Sequence, residues 1–179
     1  MKYKKIKSKI AYKNHWFSIE NHSVIKPNGQ KGVYSFLKKS SGVVIIALDN
    51  DKSIFFTKEY RYPINKRVWQ LPAGSTEGNN LIKEAAKELF EETGLKAKTI
   101  KKIGGFFIAP GHENTFVHVL VATNLDKSNI GLNFKGGDED ISDITKIEIT
   151  KIKKMIKRGE INCGISVAAL NIFLCSKNY

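Results

Sequence analysis

The stretch Leu81-Ile-Lys-Glu-Ala-Ala-Lys-Glu-Leu-Phe-Glu-Glu-Thr-Gly-Leu95 decides how this chain is read. Leu81, Ile82, Ala85, Ala86, Leu89 and Phe90 recur with the period of an amphipathic helix. Gly94 stands where a left-handed C-terminal cap belongs. Glu84, Glu88, Glu91 and Glu92 are grouped as an acidic arc set against the apolar stripe. Glu88 has acidic neighbours three and four positions on, and like charges at those spacings oppose each other. A hard divalent cation, Mg²⁺ or Mn²⁺, would reverse that cost because it prefers oxygen ligands. A solvated acidic face with Lys83 and Lys87 as partners explains a bare acidic helix at least as well, so the context has to decide.

Upstream the period is 2 rather than 3.6. Trp16-Phe-Ser-Ile-Glu and Ser23-Val-Ile-Lys are strand candidates, with a turn at Pro27-Asn-Gly-Gln-Lys and a further strand at Gly32-Val-Tyr-Ser-Phe-Leu. Gly42-Val-Val-Ile-Ile-Ala-Leu is apolar on both faces and reads as a fully buried strand. Asp49-Asn-Asp-Lys turns it into a return strand from Ser53, and Val68-Trp-Gln-Leu-Pro is a short extended piece. Downstream, Thr99 to Phe107, Thr115 to Thr123 and Ile144 to Ile149 are strand-like. Asn124 to Asp140 is a polar loop, and Lys151 to Arg158 and Ser166 to Leu174 are helices. Strands flanking a central helix imply a mixed α/β or α+β sandwich.

The 179 residues suit one domain, or one domain with a small appendage. No apolar run approaches the roughly 18–20 residues of a membrane span. No apolar segment follows the basic N-terminus, so no signal peptide is expected. Cys163 and Cys175 form neither a CxxC nor a zinc pattern, which makes a reducing cytoplasm the expected compartment. The formal charge is +13, and the first forty residues carry ten lysines against a single acid, Glu20. Such a field favours anionic ligands, although solvated lysines explain it equally. With Arg only at 61, 67 and 158, readout of nucleic acid is not favoured.

The helix follows Leu71-Pro-Ala-Gly-Ser-Thr-Glu-Gly-Asn-Asn80 and ends Lys87-Glu-Leu-Phe-Glu-Glu-Thr-Gly-Leu95. Together these resemble the Nudix box, a glycine loop leading into a helix that reads Arg-Glu-apolar-x-Glu-Glu-x-Gly-apolar. Three departures stand out: Lys87 replaces the arginine, Asn79 replaces the loop glutamate, and the loop from Gly74 is one residue short. Beyond the box, Phe56-Thr-Lys-Glu-Tyr-Arg-Tyr-Pro63, Trp69-Gln-Leu-Pro-Ala-Gly74 and Ala109-Pro-Gly-His-Glu-Asn-Thr115 resemble the ADP-ribose pyrophosphatase branch. So does the ending from Arg158 to Leu170. That resemblance implies an α/β fold, a Nudix α/β/α sandwich with a mixed sheet. It also implies a small N-terminal β-subdomain over 1–38, often exchanged across a homodimer, and a hydrolase domain over 39–179.

By the same resemblance, the Ala73 carbonyl with Glu88 and Glu92 would hold metal, and Glu91 would bridge metal or orient water. Arg61 would touch the diphosphate, unless it is a surface salt bridge. The general base would come from Gly136-Gly-Asp-Glu-Asp140, with Glu139 preferred, unless that segment is an ordinary acidic turn. Glu113 lies two positions from Thr115, where the branch usually has a glutamate. Trp16 or Phe17 would stack on a base, unless it packs in the core. His112 and His118 read as structural. The implied activity is metal-dependent hydrolysis of ADP-ribose or a related nucleotide sugar to a nucleoside monophosphate and a sugar phosphate. The alternatives are a nucleotide-binding protein that has lost turnover, or an enzyme of RNA 5′ ends or dNTPs.

Overall fold

The structure, a computed structural model, describes residues 2–131 and 140–176. The chain divides into two compact units, one of Met1–Ser41 with Phe107–Phe116 and one of Gly42–Phe106 with Val117–Tyr179.

The smaller unit holds an antiparallel sheet of β1 (Lys4–Lys13), β2 (Ser18–Ile25) and β3 (Lys31–Lys38), in that order. β1 starts four residues before the 8–38 stretch whose composition alternates between short β-like runs and turns, and ahead of the first named strand candidate at Trp16. A strand with five lysines in ten residues forms because every residue in it is exposed, so its charges stay in water. Trp16 lies in the turn between β1 and β2. There the Asn14 carboxamide oxygen accepts from the amides of Trp16 and Phe17 at 2.9 and 2.8 Å. The turn at Pro27 forms as expected, with Gly29 at φ +84°. The 107–116 loop attaches to β3, where the Leu37 amide donates to the His112 carbonyl at 2.8 Å.

The larger unit is built on a mixed sheet. β4 (Ser41–Leu48) lies between β5 (Ser53–Arg61), antiparallel to it, and β9 (Phe116–Asp126), parallel to it. β10 (Ile141–Glu148) flanks β5, β8 (Lys96–Phe107) flanks β9, and β6 (Lys66–Gln70) and β7 (Ala73–Thr76) pair with β5 and β4. As its composition predicts, β4 is buried on both faces: Val43 to Ala47 are at most 1% exposed. Three helices follow: α1 (Leu81–Thr93), α2 (Ile149–Lys157) and α3 (Gly164–Cys175). Among the described residues, no helix is long and apolar enough to cross a membrane.

α1 packs through Ala85 and Leu89 against Val43, Ile45 and Ala47 of β4 and Leu120 and Ala122 of β9. Truncating Leu89 to Ala there would cost about 2–5 kcal/mol. The helix starts two positions after Asn79, where the box pattern places its loop glutamate. Asn80 is the N-cap, its side chain accepting from the Lys83 amide at 3.0 Å. The short loop closes because Gly78 adopts φ +80° and its amide reaches the Thr76 hydroxyl at 2.8 Å. At the other end Gly94 caps as expected, at φ +74° with its amide on the Phe90 carbonyl.

Candidate active site

The face of α1 that meets the sheet carries Ala85 and Leu89, as the periodicity assigns, but its edges differ. Ile82, placed on the buried stripe, is 54% exposed, and Glu92, placed on the solvent arc, is 3% exposed. The reason is β7, which the sequence reading took as loop: it packs on α1 on the carboxylate side. The Ala73 amide donates to Glu92 Oε1 at 3.2 Å, so a buried carboxylate is met by main chain. Glu88, one turn earlier, lies against Gly74, and a Cβ at Gly74 would collide with its carboxyl group. The Gly in Pro-Ala-Gly is therefore a seat for Glu88. Glu84, a turn further back, accepts from the Thr76 hydroxyl.

The strand that presents Ala73 is itself pinned. The Leu71 amide donates to the Ser166 hydroxyl on α3 at 2.9 Å, with Ser166 1% exposed, and the Pro72 carbonyl accepts from Ile45 on β4 at 2.8 Å. Ser166 has no special signal in the sequence beyond opening an apolar helix.

Glu91 is placed differently. Lys87, the residue that stands in for the arginine of the box, pairs with it at 3.3 Å across one helical turn, and both side chains are more than half exposed. Among the described residues no three acidic, His or Cys side chains stand in a ready-made metal-holding group. By donor chemistry the residues still fit a hard divalent cation. Glu88 and Glu92 are carboxylates on successive turns, both directed to the Ala73-Gly74 main chain.

Arg61 closes a second constellation in the same unit. Its Nη1 meets Glu59 Oε1 at 2.8 Å, and its Nε and Nη2 donate to Gln70 Oε1 at 3.2 and 3.1 Å. Gln70 Nε2 donates in turn to Glu59 Oε2. Glu59 and Gln70 are each 3% exposed, whereas the Arg61 side chain is 44% exposed. Neither Glu59 nor Gln70 has a role assignable from the sequence alone. The available signal was a polar row at period 2, Thr57, Glu59 and Arg61, on a strand otherwise bound for the core.

The remaining candidates are scattered. Trp16, 71% exposed, packs edge-on against His15 at 5.0 Å in the smaller unit, so it is not a core residue. Glu113, also in that unit, accepts from the Thr115 hydroxyl. Glu139 and Asp138 lie outside the described residues. Asp140 is described, and Arg67 grips its carboxylate at 2.9 and 2.7 Å. His118, on β9, is held below the ordinary imidazole range by burial, with Lys102 acting in the same direction and Glu84 against it.

Comparison with known proteins agrees with this geometry. Residues 38–160 match the NUDIX domain model. A methanol dehydrogenase activator of Bacillus methanolicus is 28% identical over 169 residues, covering 93% of this chain and 90% of that protein. An ADP-ribose pyrophosphatase of Bacillus subtilis (strain 168) is 27% identical over 136 residues, 75% of this chain and 72% of that one. An ADP-ribose pyrophosphatase of Mycobacterium tuberculosis is 28% identical over 167 residues, with shares of 92% and 80%. A solved structure titled as an ADP compounds hydrolase superposes with a TM-score of 0.82 at 16% identity, over 97% of this chain and 93% of that one, which speaks to the fold. With the family model spanning most of its length and the glycine-seated carboxylate helix in place, the chain belongs to the Nudix family and is a Nudix pyrophosphohydrolase.

Proposed function

We propose that the chain hydrolyses the diphosphate bond of a nucleoside-diphosphate-linked substrate, ADP-ribose or a related nucleotide sugar, to a nucleoside monophosphate and a sugar phosphate. The observation that carries this reading is the seating of Glu88 on Gly74 and of Glu92 on the Ala73 amide. Relatives of similar length named ADP-ribose pyrophosphatase support the substrate class. Nudix enzymes are generally divalent-metal dependent. Here Mg²⁺ or Mn²⁺ would be held by Glu88, Glu92 and the Ala73 carbonyl, with Glu91 joining once it leaves Lys87. When bound, the metal polarises phosphoryl oxygens and acidifies water. Arg61 neutralises diphosphate charge, Glu139 takes the proton of the attacking water, and Trp16 and Glu113 contact the nucleotide. The protein works in the cytoplasm as a homodimer. The exposed Ile6, Ile10 and Val33 of the small sheet favour association.

A panel of ADP-ribose, other nucleotide sugars, dinucleoside polyphosphates, dNTPs and capped RNA, with and without Mg²⁺ or Mn²⁺, tests this. ADP-ribose or a nucleotide sugar is expected to be turned over only with metal. Glu92→Gln is expected to lower that rate on the order of a hundredfold at an unchanged melting temperature. Metal-dependent hydrolysis that survives E92Q intact would sink the proposal. The engagement of Glu91 by Lys87 favours a second reading, a protein that binds the nucleotide without cleaving it. Tight ADP-ribose binding with no product under either metal would select it.

A further inference from the structure

Glu59 and Gln70 are the anomaly of the larger unit. Burying a carboxylate and a carboxamide costs free energy unless each polar atom is matched. Here both contact one half-exposed arginine. Gln70 uses both ends of its amide: the oxygen accepts from Arg61 Nε and Nη2, and the nitrogen donates to Glu59. Glu59 uses both oxygens, one on Gln70 and one on Arg61 Nη1. The ring is closed, and it fixes the plane of the guanidinium as well as its position. Of the five N–H groups of an arginine, those on Nε and one on Nη2 donate into this ring, while Nη1 pairs with Glu59 as an ion. Among the described residues, Nη1 and the second N–H of Nη2 keep donor capacity on a side chain that reaches solvent.

The ring is also tied to the carboxylate helix by chain length. Gln70 ends β6 and Ala73 begins β7, so only Leu71 and Pro72 separate them. Three residues of chain span at most about 10 Å. Leu71 is pinned to Ser166 and Pro72 to Ile45, so that short span is held at both intervening positions.

We infer that Gln70 and Glu59 are positioning residues that hold Arg61 as a preset two-pronged donor for a substrate phosphate oxygen. This rests on the proposed diphosphate chemistry and extends it to two residues that do not touch substrate. A glutamine at position 70 fits the role better than a carboxylate, because Glu59 needs a donor there and a second carboxylate would repel it.

A double-mutant cycle tests the inference, using ADP-ribose and Mg²⁺ on the full chain. Q70L is expected to raise KM on the order of tenfold, with kcat reduced much less. In the R61A background Q70L is expected to add less than about twofold, because the residue through which it acts is gone. Q70E, which keeps the volume of the side chain, is expected to raise KM in the same way should Q70L not fold. The Arg61 Nε–H resonance gives a readout independent of turnover, and with three arginines in the chain it is readily assigned. It is expected to be dispersed in the native protein and to collapse to the solvent-exposed position in Q70L or Q70E. Additive kinetic effects, or an Arg61 signal indifferent to residue 70, would overturn the positioning role. An Arg61 signal that depends on Gln70 in a protein that cleaves no nucleotide sugar would overturn the substrate reading and leave the ring standing.

Discussion

At the β4–β5 turn, Asp49 and Asp51 are answered by side chains of the protein itself. Lys127 reaches both Asp49 oxygens at 3.0 Å, and Lys146 spans Asp49 at 3.1 Å and Asp51 at 2.5 Å. On α1, Glu88 and Glu92 are answered by main chain: a gap where Gly74 lacks a side chain, and the amide of Ala73. Neither of those two contacts brings a positive side chain. Both clusters lie in the larger unit and both bury an acid, since the Asp49 side chain is 6% exposed and Glu92 3%. Counter-charged lysines make the first cluster self-sufficient, so its contribution is to stability. The second offers two carboxylates beside a main-chain carbonyl, a donor set that suits a hard cation, so its proposed contribution is to chemistry.

Gly74→Ala is the strongest way to break that comparison. The new Cβ would displace the Glu88 carboxylate, and metal-dependent turnover is expected to fall on the order of a hundredfold. Overpacking would cost about 1–3 kcal/mol by urea melt. Turnover within a few-fold of wild type would mean that the glycine is there for the chain alone.

Asp49→Asn is expected to do the reverse. It would destabilise by about 1–3 kcal/mol and leave turnover nearly intact. Burial raises the Asp49 carboxyl, but hydrogen bonds from Lys127, the Asn50 amide and Lys146 outweigh it and hold the group below the usual carboxylate range. A folded-state value below the unfolded one contributes stability above the unfolded value, near pH 4. That contribution is lost as pH falls through the lowered folded value. Urea midpoints measured downward from neutral pH should therefore converge for wild type and D49N as Asp49 is protonated. A constant gap would show that charge is not the cause.

Lys87→Ala is the smallest expected effect and sharpens the role of Glu91. An exposed pair one helical turn apart is worth about 0.3–0.5 kcal/mol, roughly 1–2 °C in a melt. Mn²⁺ affinity is expected not to weaken, since Glu91 loses only a competitor. A marked loss of metal binding would make Lys87 an organiser of the site.

Much of this was legible in the sequence, because the strongest signals were local. The buried β4, the turns at Asp49 and Gly29, the helix from Leu81 and its Gly94 cap each rest on periodicity or φ preference within a few residues. What was not legible depended on partners far away along the chain. β1 reads as a charged tail until β2 lies beside it. β7 is too short to have a period, and it is the strand that turns Glu92 inward. Glu92 stands seven residues after Ala85, about 20° from it around the helix, so it borders the buried stripe rather than the acidic arc, and Ile82 lies on the far edge that the sheet leaves uncovered. Glu59 and Gln70 carry no local signal of function for a related reason: their roles exist only once β5 and β6 pair and Thr57 faces Gln70.

The attachment of β3 to the 107–116 loop bears on how the chain can be made and cut. Tyr34 donates to the Gly111 carbonyl across 77 residues at 3.0 Å, and Leu37 bonds with both His112 and Asn114. During synthesis the first three strands leave the ribosome long before the loop that finishes their edge. The sheet must therefore wait for about half of the larger unit, Gly42–Phe106, to be translated before its last hydrogen bonds can close. For the same reason it is not a detachable module. Excision after residue 38 or 41 would strip the 107–116 loop of its partner strand, so a clean truncation has no boundary to follow.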